Sequence, residues 1–201
     1  YRTFKPNACV IFPYRKNDKD KLEMIPLDDI MHDYPKLYKY LLAHENILNA
    51  ASRDIKPVPT TASEWHRYGR HQSLDACNLP KKIIVGVLSA GDKYAVDSFS
   101  TFVSSGGTAG YCMIALPEDS PYSIYYLQAI LNCKYLEWIS SLYGEIFGGG
   151  FIARGTKVLK QLPIRKIDFE NNDERLAHDS IGDLQKQLIQ MGDEIDAAHG
   201  N

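Results

Sequence analysis

The chain has 201 residues, 44% hydrophobic and 24% charged, the size and balance of one globular domain or one domain with an appendage. That excludes a disordered tail, a collagenous repeat and a disulfide-stapled miniprotein. The formal charge of −2 hides an uneven split: residues 168–201 set nine acids against two bases, a charge of −7, while residues 1–167 carry +5.

An acidic tail and a basic body favour different partners, and the body's sign is compatible with nucleic acid. No run of about eighteen apolar residues occurs, so no membrane-spanning helix and no membrane partner is expected. The opening residues Tyr1-Arg2-Thr3-Phe4-Lys5 lack an initiator Met and the apolar run of a signal peptide, and read as the cut edge of a longer chain. Cys9, Cys77, Cys112 and Cys133 form no C-x-x-C pair, and three of them lie in apolar runs. Those three are expected to be free core thiols, in a reduced, cytoplasmic setting.

In chain order, Ala8 to Phe12 is an apolar run ending at Pro13 and predicts a buried strand, with a second run from Leu22 to Leu27 after a charged turn. Asp28-Asp29 open a helical region, and Pro35 starts a further helix with Leu37, Leu41, His44 and Leu48 on one face. Residues 53–63 have no periodicity and read as a loop. The β-branched runs 83–88, 94–96, 101–103 and 111–116 predict a meander, with Gly106-Gly107 as a turn. Residues 123–142 predict one long helix with Ile124, Leu127, Leu131, Tyr135, Trp138 and Leu142 as its apolar stripe, closed by Gly144. Gly148-Gly149-Gly150 reads as a flexible loop, and Leu162-Pro163-Ile164 as an edge strand.

The tail has its own period. Ala177, Ile181, Leu184, Leu188, Met191, Ile195 and Ala198 alternate spacings of four and three, a heptad seam that predicts a coiled-coil-like helix with a partner helix against 177–198. Asn171 and Glu174 form a capping pair ahead of it. Together these elements predict an α+β (mixed α/β) chain: a mostly antiparallel twisted sheet with packed helices over 1–167, and an acidic helical appendage over 168–201.

Catalytic motifs do not assemble. Gly150-x-x-x-x-Gly155-Thr156-Lys157 reverses the Lys-Ser/Thr order that a phosphate-binding loop needs, and follows a helix instead of a strand. Asp54-x-Lys56 has no upstream Pro-Asp pair to supply the other carboxylate of a nuclease metal site, the six histidines show no metal-ligand spacing, and no serine nucleophile elbow occurs. What remains is a basic, aromatic, polar segment, Trp65-His66-Arg67-Tyr68-Gly69-Arg70-His71-Gln72, directly after the basic loop that holds Arg53 and Lys56. Arg and Gln reach base edges bidentately, whereas aromatics pack or stack; Trp65 and Tyr68 are read as core anchors of the loop. A second stretch, Arg154, Lys157, Lys160, Arg165 and Lys166, has no acid between Ile146 and Ile167, the pattern of a phosphate-contacting face or of an ordinary solvated one.

Several of these stretches, in this order, resemble the C-terminal target recognition (TaqI-like specificity) domain of type IIG restriction–modification enzymes, which carry an adenine-specific DNA methyltransferase. Val10-Ile11-Phe12-Pro13-Tyr14 is similar to the family's first strand, Tyr34-Pro35-x-x-Tyr38-x-Tyr40-Leu41 to its first helix, and Trp65-His66-x-Tyr68-Gly69-Arg70-x-Gln72 to its aromatic–Gly–Arg segment. Lys81-Lys82-Ile83-Ile84-Val85 resembles the strand after it; Leu127-x-x-Ile130-Leu131-Asn132-Cys133 and Leu162-Pro163-Ile164 resemble the closing helix and strand. Cys133 stands where the family usually carries Ser.

The resemblance implies a module that chooses a double-stranded DNA sequence beside the methyltransferase module of the same polypeptide, and that is itself non-catalytic. No Pro-Pro occurs, so the Asp/Asn-Pro-Pro-Tyr/Phe stretch of amino-methyltransferases is absent. S-adenosylmethionine and Mg are expected in other modules of such an enzyme, with no cofactor or metal in this fragment. Arg67, Arg70 and Gln72 are the expected base readers, with His66 in the same segment; Arg53, Lys56, Arg154, Lys157 and Lys160 are the expected phosphate contacts. The rival readings are a protein-interaction scaffold and a domain like that of a type I specificity subunit.

Overall fold

The computed structural model describes residues 8–49, 64–68, 74, 79, 81–90, 94–102 and 110–199. Contacts divide the chain into two compact units, one of Cys9–Asp75 and one of Tyr1–Ala8 with Ala76–Asn201. The architecture is α+β, with antiparallel strands in open sheets and a long C-terminal helix.

In the unit of Cys9–Asp75, β1 (Tyr14–Lys16) and β2 (Leu22–Met24) form an antiparallel hairpin in which Tyr14 faces Met24 and Lys16 faces Leu22. Its turn is organised by Asn17, whose side-chain oxygen accepts from the amides of Lys19 and Lys21 at 3.0 and 3.1 Å, the local bonding that makes Asn a turn former. Three helices follow: α1 (Leu27–Asp33), α2 (Pro35–Ala43) and α3 (Glu45–Leu48). Pro35 is at the first helical position as expected. Ile30, Leu41 and Trp65 are the buried core, with Leu37, Tyr38 and Leu48 packed on it.

The buried strand expected over Ala8 to Phe12 is displaced. Pairing starts at Tyr14, and Val10 and Ile11 are exposed. Pro13 has no N–H to donate to a ladder; only its carbonyl is used, accepting from the Ile25 amide at 2.9 Å.

In the second unit a three-stranded antiparallel sheet runs in the order β5 (Tyr94–Asp97), β3 (Lys82–Gly86), β6 (Tyr111–Ala115). The central strand β3 is buried over four of its five residues, as expected of a strand covered on both faces. At its start Lys82 faces Asp97 across the ladder and forms a fully enclosed ion pair at 2.7 Å. The expected run 83–88 is interrupted at Val87, and Leu88–Ser89 forms β4 in a second sheet of order β4-β8-β7, with β7 at Ile146–Phe147 and β8 at Phe151–Ala153. The glycines between β7 and β8 form a tight turn, with Gly149 and Gly150 at φ of 80° and 78°, conformations that favour glycine. Thr101 and Phe102 are outside any strand, the turn expected at Gly106-Gly107 is outside the described residues, and Leu162-Pro163-Ile164 is irregular.

The single helix expected over 123–142 is two helices, α4 (Ile124–Leu131) and α5 (Lys134–Tyr143). Asn132 ends the first, its side chain donating to the carbonyls of Tyr94 and Gln128. Cys133 opens the second as its N-cap, with Sγ accepting from the Leu136 amide at 3.5 Å. The break shifts the helical phase: Leu136, Ile139 and Ser140 are buried, and Tyr135, Trp138 and Leu142 face outward. α6 (Thr156–Leu159) then leads to the 27-residue α7 (Asn172–Ala198).

Asn171 caps α7 by accepting from the amides of Asp173 and Glu174. Glu174 in turn accepts from the Asp168 amide and from Arg165, and these bonds hold its carboxyl below the usual range. α7 packs along α4. Its buried stripe is His178, Gly182, Gln185 and Ile189, not the heptad seam. His178 Nε2 accepts from the Ser123 amide at 3.0 Å, and Gln185 donates to Gln128 at 3.0 Å.

Candidate nucleic-acid interface

The Trp65–Gln72 segment begins on a fixed base. Trp65 is buried against Ile30 and Leu41. The Tyr68 amide donates to the Tyr14 hydroxyl at 2.8 Å, and the Tyr68 hydroxyl donates to the Ile11 carbonyl. Rings of Phe12, Tyr14 and Tyr68 pack edge-on and tilted within about 6 Å. Burial, with Tyr14 beside it, pushes the Tyr68 phenol up to about 12, so it stays a neutral donor at physiological pH. Both aromatics of the segment are therefore anchors, as the sequence suggests.

His66 was expected among the DNA-binding residues and is instead buried, its Nε2 at 3.0 Å from the Ile25 carbonyl. A carbonyl can only accept, so Nε2 carries a proton, and Nδ1 is buried with no hydrogen-bond partner. Arg67 is part-buried and paired with Glu64 at 3.1 Å. To read a base it must exchange that carboxylate for a guanine edge. Arg53, Lys56, Arg70 and Gln72 are outside the described residues.

In the other unit the expected phosphate-binding stretch divides sharply. Arg154 is fully buried. One terminal nitrogen donates to the carbonyls of Ser89 and Ile152 and to the Ser89 hydroxyl, and the other meets Glu137 at 2.5 Å. Its backbone amide donates to Val87. This arginine ties β4, β8 and α5 together and presents nothing to a phosphate. Arg165 is exposed but paired with Glu174 at 2.8 Å. Lys157 and Lys160, on and just beyond α6, project into solvent, as does Lys166.

Sequence reasoning missed the outward face of α5. Tyr135 and Trp138 are 64% and 57% exposed, with ring centroids 6.1 Å apart, and Lys134 lies one turn before Trp138. The only signal was the Asn132-Cys133 pair that resets the helix. A cavity of about 440 Å³ beside α4 is lined by the polar side chains of Lys81, Glu118, Ser120, Tyr122, Ser123, Tyr125 and Lys186, with Leu79, Leu116, Pro117 and Ile124 between them. No described helix is long and apolar enough to cross a membrane.

No family model matches the chain. The chain is similar to the type II restriction enzyme and methyltransferase RM.Eco57I of Escherichia coli, with 48% identity over 191 residues, 95% of this chain. It spans 19% of that relative's length. Nearly the whole chain thus corresponds to one stretch of a restriction–modification polypeptide.

Proposed function

We propose that the chain is the sequence-specific, non-catalytic DNA recognition module of a fused restriction–modification enzyme, of the TaqI-like specificity type. The observation that carries this reading is the correspondence of 95% of the chain to 19% of a type II restriction enzyme and methyltransferase. A match of that shape is what a self-contained part of a larger enzyme gives. The order of motifs that resembles a target recognition domain supplies the finer role. Methyl transfer and cleavage, with the S-adenosylmethionine and Mg²⁺ they use, are assigned to other modules of such a polypeptide.

Arg67, Arg70 and Gln72 are the proposed base readers, because Arg and Gln present two donors or a donor–acceptor pair to guanine and adenine edges. Trp65 and Tyr68 hold the start of that segment against the core, so less conformational freedom is lost on binding. Lys157 and Lys160, with Arg53 and Lys56, are the proposed phosphate contacts; His66 and Arg154 are not, because both side chains are buried. Each phosphate contact releases counterion without reading sequence.

Selection from a pool of random duplexes at low ionic strength tests the reading. One enriched motif is expected, and Arg70→Ala should cost about 1–3 kcal/mol and relax a single position of that motif. Absence of any enriched motif, or an unchanged motif in both R67A and R70A, refutes it.

A further inference from the structure

α7 carries two stripes of the same period. His178, Gly182, Gln185 and Ile189 lie against α4. Roughly 120° around the helix, the seam of Leu184, Leu188, Met191 and Ile195 is 59, 41, 56 and 56% exposed. Four large apolar side chains in one line over about three turns exceed the scattered exposure ordinary on a protein surface. Their four-three spacing is that of a knobs-into-holes contact with another helix.

The charge around the seam selects the occupant. α7 holds seven acids and two bases, a net −5. On the solvent side, the heptad positions that flank the seam are Asp173, Ser180, Gln187 and Glu194. A second copy of α7 laid antiparallel on the seam would set Asp173 against Glu194 at both ends, and either orientation brings two helices of −5 together. Like charges across such flanks are destabilising. A helix with lysine or arginine at the facing positions meets complementary charge instead.

We propose that the α7 seam is the docking site for a basic amphipathic helix supplied from outside these 201 residues. The helix lies along 173–195, its apolar face on Leu184, Leu188, Met191 and Ile195, with its cations beside Asp173 and Glu194. This interface is independent of the DNA-reading assignment.

Fluorescence anisotropy with a labelled synthetic peptide tests it. The probe is a helix of about four heptads with Leu on the seam and Lys at the flanking positions; the control has the same composition with the heptad order shuffled. The protein is the full 201-residue chain. The ordered peptide should bind more than about fivefold tighter than the shuffled one. Binding should weaken by about tenfold or more in Leu188→Asn/Ile195→Asn, which leaves the net charge untouched and replaces two half-exposed apolar side chains with polar amides. A Leu188→Ala single variant, with circular dichroism on both, separates lost binding from lost fold. Equal binding of the two peptides overturns the proposal, as does unchanged binding by the folded seam variants. Seam-dependent dimerisation of the chain in analytical ultracentrifugation overturns the choice of occupant.

Discussion

Replacing Arg154 with Met distinguishes a fold-holding arginine from a phosphate-binding one. In the folded chain its guanidinium makes three hydrogen bonds through one terminal nitrogen, to Ser89 O, Ser89 Oγ and Ile152 O, and an ion pair with Glu137 through the other. Met fills much of the volume and supplies no donor, so the buried acceptors and a carboxylate lose their partner together. Removing one member of a buried ion pair costs about 3–5 kcal/mol; the Glu137 side chain is 29% exposed, which lets water recover part of it and puts the expected loss at the lower end. Glu137→Gln keeps a neutral acceptor near the guanidinium and should cost about 1.5–3 kcal/mol, the range for a hydrogen bond to a charged group. A double-mutant cycle in urea, followed by circular dichroism, should give a coupling of about 1–3 kcal/mol between the two positions. Lys157→Ala and Lys160→Ala, by contrast, should leave the urea midpoint alone and each reduce the salt slope of DNA binding by about 1. A wild-type midpoint for Arg154→Met, together with a reduced salt slope, would refute the structural assignment.

Two further outcomes follow from enclosed groups. Burial alone would raise the Asp97 carboxyl, but hydrogen bonds from Lys82, the Phe99 amide and Thr101 hold it below the ordinary carboxylate value. A depressed folded pKa stabilises the fold above the unfolded value of about 3.9 and loses that stabilisation as pH falls through the folded value. The stability gap between wild type and Asp97→Asn should therefore narrow as pH drops below about 4; a constant gap in urea titrations down that range contradicts the assignment. Gly144→Ala should lower the melting temperature, because its Cβ would stand 2.5 Å from the Ala153 carbonyl oxygen and 2.8 Å from Ile152 Cγ2; overpacking of this kind costs about 1–3 kcal/mol, and an unchanged melting temperature contradicts it.

Legibility in the sequence followed how local each signal was. The cap at Asn171, the start of α2 at Pro35 and the buried strand β3 are set by neighbours in sequence, and the structure has all three. Arg154 was misread because no acid lies within the stretch 146–167, while its partner Glu137 is seventeen residues upstream on another element. The break between α4 and α5 was hidden by Cys133, a residue outside the usual N-cap set. Its sulfur takes the Leu136 amide. Trp65 and Tyr68 were legible as anchors because large aromatics between polar neighbours have few other roles. Of the base-reading candidates, only Arg67 falls among the described residues, and its Glu64 partner is a local i−3 pair.

The terminal helix shows why a hydrophobic period identifies a face without saying what covers it. Apolar spacing found Ile181, Leu184, Leu188, Met191 and Ile195; Ile181 packs on the core, the other four are exposed, and the fold buries the neighbouring stripe instead. Apart from Ile189, that stripe is invisible to hydropathy, because His178 and Gln185 are polar and Gly182 has no side chain. Gly182 lets the helix close on Ser123, where a Cβ would stand 3.2 Å from the hydroxyl. His178 and Gln185 then spend their polar atoms on α4, the first on a backbone amide and the second on Gln128. Each of those bonds would leave a buried polar group unsatisfied if α7 rotated to bring its apolar seam onto α4. Burial of the seam against α4 would gain apolar area yet orphan Gln128 and the Ser123 amide. The polar stripe fixes the rotation of the helix, and the seam is outside as a consequence of that choice.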